Sequence, residues 1–304
     1  MWVRAKDVAW QLVRGILMGV SDVVPGVSGG TVALLLGIYA RLIGLVRTGV
    51  GVLGSLFRGN WAETWDRLRS FDWWFAVPLV VGVVVSVMAL ASVIDDLLID
   101  EPESMAGLFF GLVAASVVVA WKLLHRPSLL KGLVAAAVSG LVFGLLGLHS
   151  GPASDPSSLF LFGAGAVAVC AMLLPGISGS FILLMIGVYP AVIASIDEWV
   201  WGNLAALSLG ALLGLVLFSH LIGQVLERWH DPALTVMVGL LAGSLRVLWP
   251  WPAGVGVISR HAEETIDGTG LGWAPIADLW LPAVLAVAAA FLVLVLSRRV
   301  SADT

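Results

Sequence analysis

The sequence predicts an all-α, polytopic membrane protein. Its two inverted-topology repeats would each comprise a re-entrant broken-helix hairpin and three transmembrane helices. Three observations carry that prediction. Of the 304 residues, 60% are hydrophobic and only 12% are charged, whereas soluble domains carry about a quarter charged residues. The block Pro25-Gly26-Val27-Ser28-Gly29-Gly30-Thr31, inside one apolar run, returns as Pro175-Gly176-Ile177-Ser178-Gly179-Ser180-Phe181 inside another. Lys and Arg fall unevenly between the connectors, and basic residues prefer the cytoplasmic side of a membrane.

Residues 1–14 interleave Trp2, Val3, Val8, Trp10 and Val13 with Arg4, Lys6, Asp7 and Arg14, the pattern of an interfacial helix. No small-residue cleavage site stands out, so the first apolar run is expected to stay in the fold. Residues 15–40 are apolar but broken at Pro25-Gly26 and form the first predicted hairpin. Residues 41–72 carry five arginines among Phe57, Trp61 and Trp65 and are expected to lie on the membrane surface. Spans are predicted over 73–94, 105–121 and 132–148, completing a first repeat over 1–149. The second repeat, 150–304, is read as a hairpin over 159–189 and spans over 203–224, 233–249 and 279–297. Each uninterrupted run is close to the ~20 residues that cross a bilayer.

The repeat is visible at an offset of 150, which aligns Gly15 with Gly165, Pro25 with Pro175, Ser28 with Ser178, Gly37 with Gly187 and Tyr39 with Tyr189. Farther on the offset shortens to 128, pairing Gly82 with Gly210 and Gly111 with Gly239. Basic residues flank the first broken segment on both sides, so it should enter and leave by the cytoplasmic face. Arms of about ten residues on either side of Pro25 are too short to cross singly. Carried through the chain, this topology leaves 14 of the 16 Lys and Arg inside, with only Arg246 and Arg260 outside. Three spans per half is an odd number, so the halves point in opposite directions, as in many secondary transporters. Both termini are then cytoplasmic.

In lipid, backbone outside a helix must be buried in protein or line a polar cavity. Inverted repeats bring such broken segments together near the midplane. The tips would offer Ser28, Gly29, Gly30 and Thr31 from the inner side and Ser178, Gly179 and Ser180 from the outer side. A helix starting after each Pro-Gly turn (Pro25-Gly26 and Pro175-Gly176) would aim free N–H groups and its dipole at an anion. Serine and threonine hydroxyls would add donors. A phosphate or carboxylate suits that chemistry. The plainer alternative is that Pro and Gly only kink helices and allow close packing.

Other candidates are single residues. Arg246 closes the span 233–249, and Arg14 leads into the first hairpin. Each could contact a phosphate or simply snorkel to the interface. Asp22, three residues before Pro25, is an ionisable group in an apolar run; it could couple transport to a proton or cation, or cap a helix start. His220, within 203–224, could titrate. Cys170 is the sole cysteine, which excludes an intramolecular disulfide and a cysteine metal cluster. The chain has no HExxH, P-loop or credible Ser-His-Asp order, so neither an enzyme nor a metal or cofactor is expected, and nothing points to nucleic acid.

The stretches "GILMGVSDVVPGVSGGTVALLLGIY" at 15–39, "LLPGISGSFILLMIGVY" at 173–189 and "GLLAGSLRVLWPWP" at 239–252 resemble the DUF368 family of bacterial and archaeal membrane proteins. The resemblance covers nearly the whole chain. It implies a transporter that returns polyprenyl phosphate, such as undecaprenyl phosphate, across the cytoplasmic membrane for envelope polymer synthesis. It matches Pro25, Gly26, Ser28, Gly29, Gly30 and Thr31 to the family's first motif and Pro175, Gly176, Ser178, Gly179 and Ser180 to its second. Arg246 falls in the third. The family often has Asn where this chain has Asp22, which argues against a universal proton-carrying role there. The residues alone leave two other readings open, a transporter or channel for a small anion and a non-transporting membrane assembly factor. They fix neither a coupling ion, proton or sodium, nor an oligomeric state.

Overall fold

A computed structural model describes residues 2–23, 27–147, 156–251, 271–273 and 279–302. Pro25 and Gly26, the predicted turn of the first hairpin, lie outside the described residues, as does most of the connector 250–278. The described chain is all α-helix. The first half holds α1 (Trp2–Val23), α2 (Gly29–Leu35), α3 (Tyr39–Phe57), α4 (Trp61–Ser70), α5 (Trp73–Asp100), α6 (Pro102–Lys122) and α7 (Leu129–Leu145). The second holds α8 (Ser158–Met172), α9 (Gly179–Met185), α10 (Tyr189–Asp197), α11 (Trp201–Arg228), α12 (His230–Ser244) and α13 (Trp280–Ala302). Among the described residues, α3, α5, α6 and α11 are long and apolar enough to cross a membrane, and α9 and α10 form one bent pair with a 110° break. Helices α7, α8 and most of α13 are apolar but shorter. This is a multi-pass membrane protein.

Glycine seams hold the helices in pairs. A β-carbon at Gly15 would overlap the Leu79 carbonyl, and one at Gly19 would overlap Ser86 and come within 2.7 Å of the Val83 carbonyl. Contacts that advance together along both helices mean that α1 and α5 run in the same direction. The counterpart is α8 on α11, where Gly210 abuts Phe162 and Gly214 abuts Ala166. The remaining pairs cross between halves. Gly107 and Gly111 of α6 meet Pro282 and Ala286 of α13, while Gly239 and Gly243 of α12 meet Val138 and Val142 of α7. Small residues let membrane helices approach closely, where packing and hydrogen bonding replace the missing hydrophobic drive.

Several predicted boundaries are corrected. The interfacial helix over 1–14 and the first hairpin arm are one helix, α1, because Gly15 packs against α5 instead of breaking the chain. The helices flanking the first break are unequal, with 22 residues in α1 and 7 in α2. The expected polar segment 41–72 divides in two. Residues 39–57 form the apolar helix α3, long enough to cross a membrane, and only α4 is polar. The two charges of α3 nearest its start are ion-paired at the ends of other helices: Arg41 with Asp72 before α5, and Arg47 with Glu227 at the close of α11. The return arm of the second hairpin runs to Asp197, beyond the predicted limit at 189. Helix α12 stops at Ser244, short of 249. From Arg246 to Trp249 the amides bond to carbonyls three residues back, and Pro250 disfavours further α-helix before it.

Candidate functional site

The two broken segments meet. The amide of Gly176 donates to Thr31 Oγ1 at 2.9 Å, and the hydroxyl of Tyr39 donates to the carbonyl of Leu173 at 2.6 Å. Thr31 is fully buried. Matching glycines end the two short helices: Gly37 (φ 68°) follows α2 and Gly187 (φ 82°) follows α9. This is the left-handed position that glycine takes just past a helix C-terminus.

The first tip satisfies itself. Ser28 has extended backbone, φ −134° and ψ 134°, and its side chain accepts from the amide of Gly30 at 3.1 Å. Asp22 Oδ1 accepts from the amide of Gly29 at 2.6 Å, and the amide of Thr31 bonds to the Ser28 carbonyl at 2.8 Å. The capping alternative for Asp22 is thus realised, and the amides expected to face an anion at this tip are occupied. The second tip differs. Ser178 precedes α9 in the same extended conformation, φ −94° and ψ 134°, but makes no side-chain cap bond. Its hydroxyl lies 2.8 Å from that of Ser180. Gly176 turns the chain at φ 94°, with α12 so close that a β-carbon would sit 3.0 Å from the Leu241 Cα.

Between the tips and the α8–α11 face lies a cavity of about 350 Å³. Its polar lining comes from Asp22, Ser28, Ser178 and Ser180, with Gly179 beside them, and Met172, Val169, Leu183 and Leu207 supply apolar wall. Met172 occupies the register that Asp22 holds in the first half. Gly29, Gly30 and Thr31 sit behind this lining; a β-carbon at Gly29 would press on the Asp22 carboxylate. Three predicted residues stand apart. Arg14 lies on α1 with Nη1 3.2 Å from Gln11 Oε1 and its guanidinium over Trp10. Arg246 follows α12, stacked on the Phe143 ring at 4.7 Å. His220 is exposed on α11, with Nδ1 2.9 Å from the Val216 carbonyl. Tyr39, aligned with Tyr189 in the repeat, proves to be a tip-to-tip contact; its place two residues after Gly37 marked a helix restart.

Residues 18–266 match the family described as VCA0040-like, undecaprenyl phosphate translocase-like. The chain belongs to this family. Two relatives of the undecaprenyl phosphate translocase-like chain carry the name polyprenyl-phosphate transporter. One, from Vibrio cholerae serotype O1, is 36% identical over 244 residues, covering 78% of this chain and 76% of the relative. The other, from Staphylococcus aureus, is 31% identical over 256 residues, covering 79% and 85%. Family and relatives alike are named for moving a lipid phosphate and not for a reaction on it. No solved structure matches the chain.

Proposed function

We propose that the protein translocates a polyprenyl phosphate, undecaprenyl phosphate in the first instance, across the cytoplasmic membrane, returning the carrier for envelope synthesis. The observation that carries this reading is the cavity, bordered by Asp22, Ser28, Ser178 and Ser180 within an apolar wall, where two broken helices meet in a family named for polyprenyl phosphate transport. The headgroup would sit between Ser178, Gly179, Ser180 and Ser28, while the tail stays in lipid, since immersing a long polyprenyl chain in a polar path is prohibitive. Arg14, midway along α1, and Arg246, past the end of α12, would meet the headgroup on its approach from either side.

Inverted repeats are the architecture this reading uses. Helices α1 and α5 run together, α8 and α11 run together, and α3 is ion-paired both to the start of α5 and to the end of α11. Those pairings favour opposite directions for α5 and α11, with both termini on the cytoplasmic side and alternating access between the halves. Asp22 would couple the cycle to protons. An ionised carboxylate beside a phosphate is unfavourable, so headgroup binding and Asp22 protonation favour one another by linkage.

Headgroup flipping in reconstituted vesicles tests the assignment, with polyprenyl phosphates of defined length, with and without pH and sodium gradients. Tail-dependent flipping that responds to the pH gradient in the native protein, but not in Asp22→Asn, is expected. Transport of soluble phosphate with no dependence on a tail would instead identify a small-anion carrier.

A further inference from the structure

Away from the hairpin tips, three metal-ligating side chains converge where the α6–α7 connection meets the start of α12. His125 Nδ1 and His230 Nδ1 lie 3.0 and 3.3 Å from one atom, Oδ1 of Asp231. All three ligand atoms fall within 4.8 Å of one another. A tetrahedral Zn²⁺ holds nitrogen and oxygen donors at about 2.0–2.1 Å, which spaces neighbouring donors about 3.3 Å apart. Both nitrogen–oxygen distances lie near that spacing, and the two nitrogens are within 4.8 Å of one another.

The carboxylate is fixed from behind. The His125 amide donates to Oδ1 and the Arg126 amide to Oδ2, each at 3.1 Å, and Lys131 Nζ binds Oδ2. Such outer partners orient a ligand, and an oxygen that accepts one amide keeps a second lone pair for an ion. The carboxylate is well shielded, at 15% exposure, while the imidazoles of His125 and His230 are 73% and 45% exposed and free to adjust. Both histidines also border a cavity of about 430 Å³ shared with Tyr39, Arg47 and Glu227. Both rings, with centroids 4.5 Å apart, face the same carboxylate oxygen.

We propose that His125, His230 and Asp231 bind a divalent transition metal of the Zn²⁺ type, with the fourth position open to this cavity. Two imidazoles and one carboxylate favour such ions over Mg²⁺ or Ca²⁺, which take oxygen ligands. The ion would tie the α6–α7 connection to α12.

The test uses tag-free, full-length protein in detergent, stripped with a chelator and titrated with Co²⁺ by visible absorption. One equivalent should bind with a tetrahedral spectrum and be displaced by Zn²⁺. His125→Ala and His230→Ala should each weaken binding at least tenfold, and His220→Ala should leave it unchanged. Both substituted rings are exposed, and a thermal melt of each variant checks that it is folded. Binding that survives the His125→Ala/His230→Ala double substitution, no binding above that background, or displacement by equimolar Mg²⁺ would overturn the proposal.

Discussion

At the first hairpin tip, the amides of Gly29, Gly30 and Thr31 are all taken up by Asp22 and Ser28 of the same segment; at the second, the serine in the same register turns its hydroxyl to Ser180 and leaves α9 uncapped. The sequence difference behind this is small. Asp22 in one half is Met172 in the other, and a thioether is only a weak acceptor where a carboxylate is a strong one. Two nearly identical motifs thus end in unequal electrostatics. One bears a carboxylate, and at the other Ser178 and Ser180 border the cavity. On the proposed function, the first tip would position and couple, and the second would hold the anion.

The largest expected effect comes from damaging the second tip's turn. Gly176→Ala forces a side chain onto left-handed backbone facing α12, at a cost of about 2–4 kcal/mol, read as a lower melting temperature in detergent. Next, Met172→Asp should erase the asymmetry. A carboxylate there would compete for the second tip's donors and repel a phosphate. Charge-assisted hydrogen bonds contribute about 1.5–3 kcal/mol, so flipping should fall roughly tenfold or more with the melting temperature largely kept. If flipping is unchanged, the two tips do not divide the work this way. The serines should separate more finely. Ser28→Ala removes a helix cap worth about 1 kcal/mol and should lower stability, whereas Ser178→Ala should slow flipping several-fold and leave the melt alone. Thr31→Val, which leaves the buried Gly176 amide without its acceptor, should cost about 1–3 kcal/mol in the same melts.

The meeting of the tips was legible in the sequence, because the same Pro-Gly-x-Ser-Gly pattern interrupts two apolar runs at a fixed offset. The transmembrane runs of α5, α6 and α11 were legible as well, since uninterrupted apolar length is a strong signal. The single helix α1 was not. The basic, interfacial pattern of 1–14 and the apolar run from Gly15 read as two segments, and only the contact of Gly15 and Gly19 with α5 shows one helix on a seam. Helix α3 reads as part of a surface segment because five arginines fall across 41–72; only Arg41 and Arg47 lie on α3, and each is ion-paired to a partner distant in the chain. The pairing of α6 with α13 and of α7 with α12 left no trace in periodicity, because glycine spacing marks a seam without naming its partner.

That exchange of helices bears on biogenesis. Gly107 and Gly111 present a groove that Pro282 and Ala286 fill, so α6 enters the bilayer long before its partner is synthesised. Until then the groove must be covered by lipid or by the insertion machinery. Neither half can mature first and wait for the other, and folding is completed only when the last helix docks. Two co-expressed fragments divided within the connector near residue 150 should therefore assemble into an active protein, while either fragment alone should be degraded.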